Sequence, residues 1–168
     1  MGMSVTISTA DPNDAEKILK LQYLCYQSEA ELYGDYTIEP LTQTFEALRA
    51  ELAEGCVLVA RLGDEVVGSV RGVVDVDGTA RIAKLIVHPR MQRHGLGGRL
   101  LHAVEERLSA ESEAKRYRLY TGHRSDLNLR LYRKLGYEQV GDAEPITRRL
   151  SLVTMEKDAP PQTFAASA

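Results

Sequence analysis

The chain reads as an α/β fold: a mixed, largely antiparallel central sheet of six or seven strands flanked by about four helices. Three observations predict it. Short alternating, β-branched runs are interspersed with longer stretches of helical period. The middle of the chain is a meander carrying the hairpin signal Asp77-Gly78. After the meander, glycines 95, 97 and 98 open a leucine-bearing helix. At 168 residues the chain is long enough for one well-filled core. A single domain is expected over 1–156, with a disordered tail over 157–168 that holds two prolines and small residues.

The elements follow in order. Ser4–Ser8 alternates as a short strand, and Asp11-Pro12 offers a cap followed by proline at the first helical position. Ile18, Leu21, Leu24 and Cys25 form an apolar stripe. The polar, tyrosine-rich segment 26–39 holds Gly34 and is followed by Pro40, which argues against one unbroken helix. A second helix is expected from Thr42 to about Ala53, with Phe45, Leu48 and Leu52 inward and Gly55 ending it. Strands Cys56–Leu62, Val66–Asp75 and Thr79–Val87 make the meander, stopped by Pro89. Leu96, Leu100, Leu101, Val104 and Leu108 fit one buried helical face. Arg118–Thr121 is a strand, Leu127–Leu135 a helix ended by Gly136, and Tyr137–Val140 and Arg148–Thr154 the last strands.

Charge is uneven along the chain. Residues 1–55 hold ten Asp and Glu against three Lys and Arg, whereas residues 88–134 hold eleven Lys and Arg against five Asp and Glu. One region suits a cation and the other an anion, although solvated charge alone gives the same pattern. The acidic overall balance and the absence of aromatics interleaved with the basic residues argue against nucleic acid. Cys25 and Cys56 have neither metal-ligand nor redox spacing, which suits two reduced thiols in the cytoplasm. No signal segment or membrane-length apolar run is evident, so no membrane partner is expected.

The chemistry concentrates at Gln92-Arg93-His94-Gly95-Leu96-Gly97-Gly98. A helix beginning near residue 95 leaves its first N–H groups without intrahelical acceptors, and its dipole favours an anion. Glycines there let a phosphate approach the backbone, and Arg93 and Arg99 add countercharge. Tight packing of helix on sheet is the competing reason for the glycines. A Walker loop is excluded because Gly98 is followed by Arg99-Leu100 rather than Lys-Ser/Thr. A dinucleotide fingerprint is excluded because Leu100 stands where a third small residue is required.

With these residues in place, the chain resembles the GNAT superfamily of N-acetyltransferases, whose Gln/Arg-x-x-Gly-x-Gly/Ala signature is met by Gln92 to Gly97. The Leu-Ile-Val strand end, His88-Pro89 and the later Leu131-Tyr132-Arg133-Lys134-Leu135-Gly136-Tyr137 fit the same family over roughly residues 56 to 140. The resemblance implies acetyl-CoA in a V-shaped gap between two central strands. Leu85, Ile86 and Val87 would pair with the pantetheine arm, and Gln92, Arg93, His94, Gly95, Leu96, Gly97, Gly98 and Arg99 would hold the pyrophosphate.

Acetyl transfer to an amine needs loss of a proton from an ammonium of pKa about 10.4 and fixed donors for the oxyanion. It also needs an acid for a thiolate of pKa about 8.5. By the resemblance Tyr132 is that acid, and a backbone N–H near Val87 is the oxyanion donor. Asn128 shares a helical face with Tyr132 and is a candidate for the pantetheine amides. The commoner family pattern has asparagine seven residues before the tyrosine; Ser125 stands there, and its hydroxyl is the candidate to substitute in contacting the cofactor. The base stays open. Tyr120 occupies the position where some members have glutamate, and Lys84 does not suit the role. His123, Glu29, Glu31, Asp35 and Glu39 remain, as does an ordered water chain, with His123 having the best-suited ordinary pKa.

Segment 26–39 is expected to wall the acceptor, Glu29 favouring a cationic amine and Tyr33 and Tyr36 contacting its body. His88 and His94 have no convergent ligand set, so no metal is expected. The expected activity is direct transfer of acetyl from acetyl-CoA to a small-molecule amine. A peptide or protein amine, and a non-catalytic acetyl-CoA sensor, are the alternatives. A homodimer is compatible with this reading.

Overall fold

The computed structural model describes residues 4–161. Strands β1 (Val5–Thr9), β2 (Cys56–Leu62), β3 (Glu65–Val74) and β4 (Thr79–Val87) form an antiparallel run. Next come β5 (Arg116–Gly122) and β8 (Ser151–Asp158), with the short β6 (Glu138–Gln139) and β7 (Glu144–Pro145) both pairing with β8. The sheet order is β1-β2-β3-β4-β5-β8-β6, and its one parallel pair is β4–β5. This is the mixed, mostly antiparallel sheet expected; β6 falls within the expected strand Tyr137–Val140, and β7 is too short to show as a hydrophobic run.

Helices cover both faces. Helix α5 (Leu96–Ser112) packs Leu96, Leu100, Leu101, Val104 and Leu108 into one core, which Leu129 and Tyr132 of α6 (Asp126–Lys134) also join. On the other face Ile18 and Leu21 of α1 (Ala15–Cys25) and Leu48 of α4 (Phe45–Glu54) pack on Val57, Val59 and Ile86. Arg71 of β3 is buried on that face, where its guanidinium donates to Gln22 (2.9 Å) and pairs with Glu51 (3.0 Å).

Several boundaries depart from expectation, each for a physical reason. Segment 26–39 contains α2 (Gln27–Tyr33), closed by Gly34 in the left-handed region at φ 64°, and the single turn α3 (Glu39–Thr42). Helix α4 begins at Phe45 rather than Thr42, because the Thr44 hydroxyl accepts from Ala47 N–H at 3.1 Å and caps it. Leu24 and Phe45 were expected inward and lie exposed; the Arg49 guanidinium covers the Phe45 ring. The meander hairpin closes over residues 75–78 rather than two residues, with Asp75 N–H donating to Thr79 O and Gly78 at φ 86°.

The final strand runs on through Lys157 and Asp158, residues expected in the tail. Lys157 stands opposite buried Tyr117 and bonds Glu105 at 2.9 Å, so a buried acid holds a charged residue in the sheet. The last part of the expected disordered stretch, residues 162–168, lies outside the described residues.

Candidate active site

The turn entering α5 is built for backbone donation. Arg93 (φ 68°) and Gly95 (φ 76°) both lie in the left-handed region, which turns the chain sharply into the helix. The first return bond is Arg99 N–H to Gly95 O at 3.1 Å, so Leu96, Gly97 and Gly98 open the helix without intrahelical acceptors. Packing does not require these glycines. A Cβ at Gly95 or Gly98 would have nothing within 4 Å. One at Gly97 would meet Leu131 and Val87 only at 3.5 and 3.9 Å, ordinary contact distances. The space in front of this backbone is open, as an anion in close approach requires.

That mouth stands beside a split in the sheet. β4 and β5 pair only over Thr79–Arg81 and Arg116–Arg118. Past those rungs β5 continues with β8 as far as Gly122, while β4 continues with β3 as far as Val87. Within β4 the register shifts between Ala83 and Ile86, and Lys84 takes φ 55°. The resulting bulge bends the strand at its half-buried end, past the rungs it shares with β5. Gln92 Nε2 donates to Val87 O at 3.2 Å, tying the signature loop to the strand end. Leu85 and Val87 lean on the α5-side core, and Ile86 is buried in the opposite one.

Two side chains expected here point elsewhere. Arg99 donates to Val5 O in β1 (3.2 Å), away from the helix mouth. His123 Nδ1 accepts from Ser151 N–H at 3.0 Å, so its lone pair is spent on the end of the β5–β8 ladder. Arg93 and His94 are exposed at the loop, and Tyr36 and Tyr120 are exposed as well.

From α6, Tyr132 is buried, tilted against Tyr137, and its hydroxyl bonds to no described group. Burial and the nearby Glu29 carboxylate raise its phenol above the ordinary tyrosine range, which keeps it protonated. Asn128 Nδ2 reaches Thr121 of β5 at 3.4 Å, one turn before Tyr132. Ser125, just ahead of α6, is buried and donates to Glu29 Oε2 at 2.7 Å. Tyr33, expected to touch the acceptor, is instead buried. Its hydroxyl lies 2.8 Å from Ser125 Oγ and accepts from Arg124 N–H at 2.9 Å.

Two residues of this region carried no weight in the sequence reading. Burial raises the Tyr26 phenol, the nearby Tyr132 and Glu29 add to the shift, and the Arg71 guanidinium opposes it. The spacing 26, 29, 33 places three such side chains on one helical face, a signal hidden while the segment was read as a loop. Cys25 Sγ donates to Val87 O at 3.4 Å, and burial pushes its thiol up to about 12. At neutral pH it stays a thiol, a poor nucleophile.

Two clefts, of about 440 and 910 Å³, run along α5 and are lined by Glu105 and Lys157, apart from this split. Among the described residues no group of three or more His, Cys, Asp or Glu is arranged to hold a metal ion, and no helix is long and apolar enough to cross a membrane.

Known structures share this architecture. The PaiA N-acetyltransferase of Thermoplasma acidophilum, solved in complex with coenzyme A, superposes with a TM-score of 0.75 at 18% identity, covering 93% of this chain and 99% of its own. YncA of Salmonella typhimurium, solved with its cofactor acetyl-CoA, gives 0.76 at 18% identity over 98% and 99%. The ribosomal-protein-S18-alanine N-acetyltransferase of Escherichia coli gives 0.77 at 15% identity over 96% and 98%. No curated protein matches the sequence. These likenesses establish the fold. The sequence profile described as the acetyltransferase (GNAT) family matches residues 16–137, spanning the open helix mouth, the split strands and Tyr132, and the chain belongs to that family.

Proposed function

We propose that this protein transfers the acetyl group of acetyl-CoA to the primary amine of a small molecule, by direct attack with both substrates bound. The observation that carries the proposal is the junction of an unfilled, glycine-lined helix mouth with the split between β4 and β5. A pyrophosphate fits the free N–H groups of Leu96, Gly97 and Gly98, and an extended amide-bearing arm fits the open edge of β4 at Leu85–Val87. The coenzyme A complexes of PaiA and YncA, built on the same fold, support that choice of ligand.

Acetyl-CoA, when bound, supplies an activated thioester. Backbone N–H groups at the β4 bulge are the fixed donors for its carbonyl oxygen. Tyr132 gives its proton to the departing sulfur, and its burial lets it act where the thiolate is equally starved of water. Asn128 orients the arm from the first turn of α6. Cys25 stays out of the chemistry, because a thiol with pKa raised to about 12 does not accept the acetyl group at neutral pH. Reduced cysteines and this cosubstrate suit a cytoplasmic reaction.

The test is a thiol-release screen over aminoglycosides, polyamines, amino acids and peptides. Saturable release that depends on a small amine is expected. Release with peptides alone redirects the reading to a peptide or protein acetyltransferase. Acetyl-CoA binding without release from any member contradicts transfer and favours a sensor.

A further inference from the structure

We infer that Glu29 is the carboxylate that receives the acceptor's ammonium and takes its proton, held for that task by a one-way chain of hydroxyls from Tyr33 and Ser125. The inference rests on the proposed acetyl transfer and supplies the base which that reading lacks. The chain's direction follows from its ends. Arg124 N–H can only donate, so Tyr33 O accepts from it at 2.9 Å and must send its own proton elsewhere. Ser125 Oγ lies 2.8 Å away and receives it. Ser125 O–H in turn points at Glu29 Oε2, an acceptor, at 2.7 Å. One carboxylate oxygen is thereby fixed, leaving the other to a ligand.

The rival bases are already committed. Glu39 is paired with Lys84 Nζ at 2.7 Å. Asp35 accepts from the N–H and the hydroxyl of Thr37 at 2.8 and 2.6 Å. His123 spends its Nδ1 lone pair on Ser151 N–H. Glu31 stands on the exposed side of α2. Glu29 is half-buried, its charge is felt by Tyr26 and Tyr132, and it is tied to the residue that precedes α6. It therefore faces the same region as the proposed acid.

The proton count closes. Glu29 takes one proton from the ammonium R–NH3⁺ and releases it to solvent, and the freed lone pair then forms the N–C bond as the C–S bond breaks. Glu29 takes the second N–H proton, and sulfur takes the Tyr132 proton. Glu29 then releases its proton to solvent, and Tyr132 regains one from solvent. The sum is R–NH3⁺ plus thioester giving amide, thiol and one H⁺. Glu29 is catalytic in this scheme, and Ser125 and Tyr33 are positioning residues, which replaces the expected substrate contact of Tyr33.

The experiment compares the full-length wild type, Glu29→Gln, Ser125→Ala and Ser125→Thr. Each is titrated with acetyl-CoA by calorimetry, screened for thiol release with the amine panel, and melted with coenzyme A in the presence and absence of each amine. Glutamine keeps an oxygen for Ser125, so the fold and acetyl-CoA affinity should hold within about twofold, while kcat/KM falls about 100-fold. The amine-dependent rise in Tm should vanish with it. Ser125→Ala should keep acetyl-CoA affinity and lose about tenfold in kcat, and Ser125→Thr, which restores the hydroxyl, should recover most of that loss, a rescue that loosened packing alone does not give. Wild-type rates and Tm response in Glu29→Gln would overturn the inference. A wild type that binds acetyl-CoA but responds to no amine would overturn it together with transfer, and a wild type that binds no acetyl-CoA would overturn the reading beneath both.

Discussion

Tyr132 shows how one side chain's surroundings define what it can do. Its ring is buried against Tyr137, its hydroxyl bonds to no described group, and burial together with the nearby Glu29 carboxylate keeps it protonated. Tyr132→Phe removes one oxygen and preserves the packing. The expected outcome is a turnover loss of about 100-fold with acetyl-CoA affinity unchanged, measured by thiol release and calorimetry. Unaltered turnover would remove Tyr132 as the acid. The tyrosine and the glycines were legible as residues because their motif spacing is local. Tyr33 was named for a different role, contact with the acceptor, because its actual partners lie 91 and 92 positions away and its burial depends on them. Lys84 was silent, since lysine has no preference for the positive φ that the bulge imposes.

At the scale of elements, the strands and long helices were readable from alternation and 3.6-residue period, while the joins were not. Helix α2 was hidden by its acidic, tyrosine-rich composition, although its Ala, Leu and Glu are good helix formers. The end of β8 was hidden by its charges, which find partners in the fold: Glu156 bonds Arg118 on the neighbouring β5, and Lys157 bonds Glu105 of α5. What joins α2 to the β5 end is Tyr33, whose hydroxyl and ring lie over Gly122 where a Cβ would overlap them. Gly122→Ala should therefore push α2 off the β5–α6 turn and cost about 1–3 kcal/mol in chemical denaturation. It should also weaken transfer through Glu29 and Ser125. A neutral effect on both would show that this contact does not hold the acceptor side together.

On the scale of the molecule, one sheet serves two faces. The α5 face supplies backbone donors for an anion, and the α1–α4 face carries the acidic helices where a cation is favoured. On the proposed acetyl transfer, the uneven charge of the chain maps onto a donor side and an acceptor side, joined at the β4–β5 split. Family and fold were legible from two motifs; the identity of the base was not, because it depends on hydrogen bonds between α2 and the residues before α6. The central claim is that acetyl-CoA occupies the helix mouth and the split. Calorimetric titration of wild type and Gly97→Glu with acetyl-CoA tests it most directly. Gly97 faces Leu131 and Val87 with room for a Cβ, so the variant should melt like wild type. The wild type should bind one equivalent, and the introduced carboxylate should weaken binding by about 100-fold or more through like-charge repulsion. Equal affinity in a folded Gly97→Glu, or no binding by the wild type, would contradict the account.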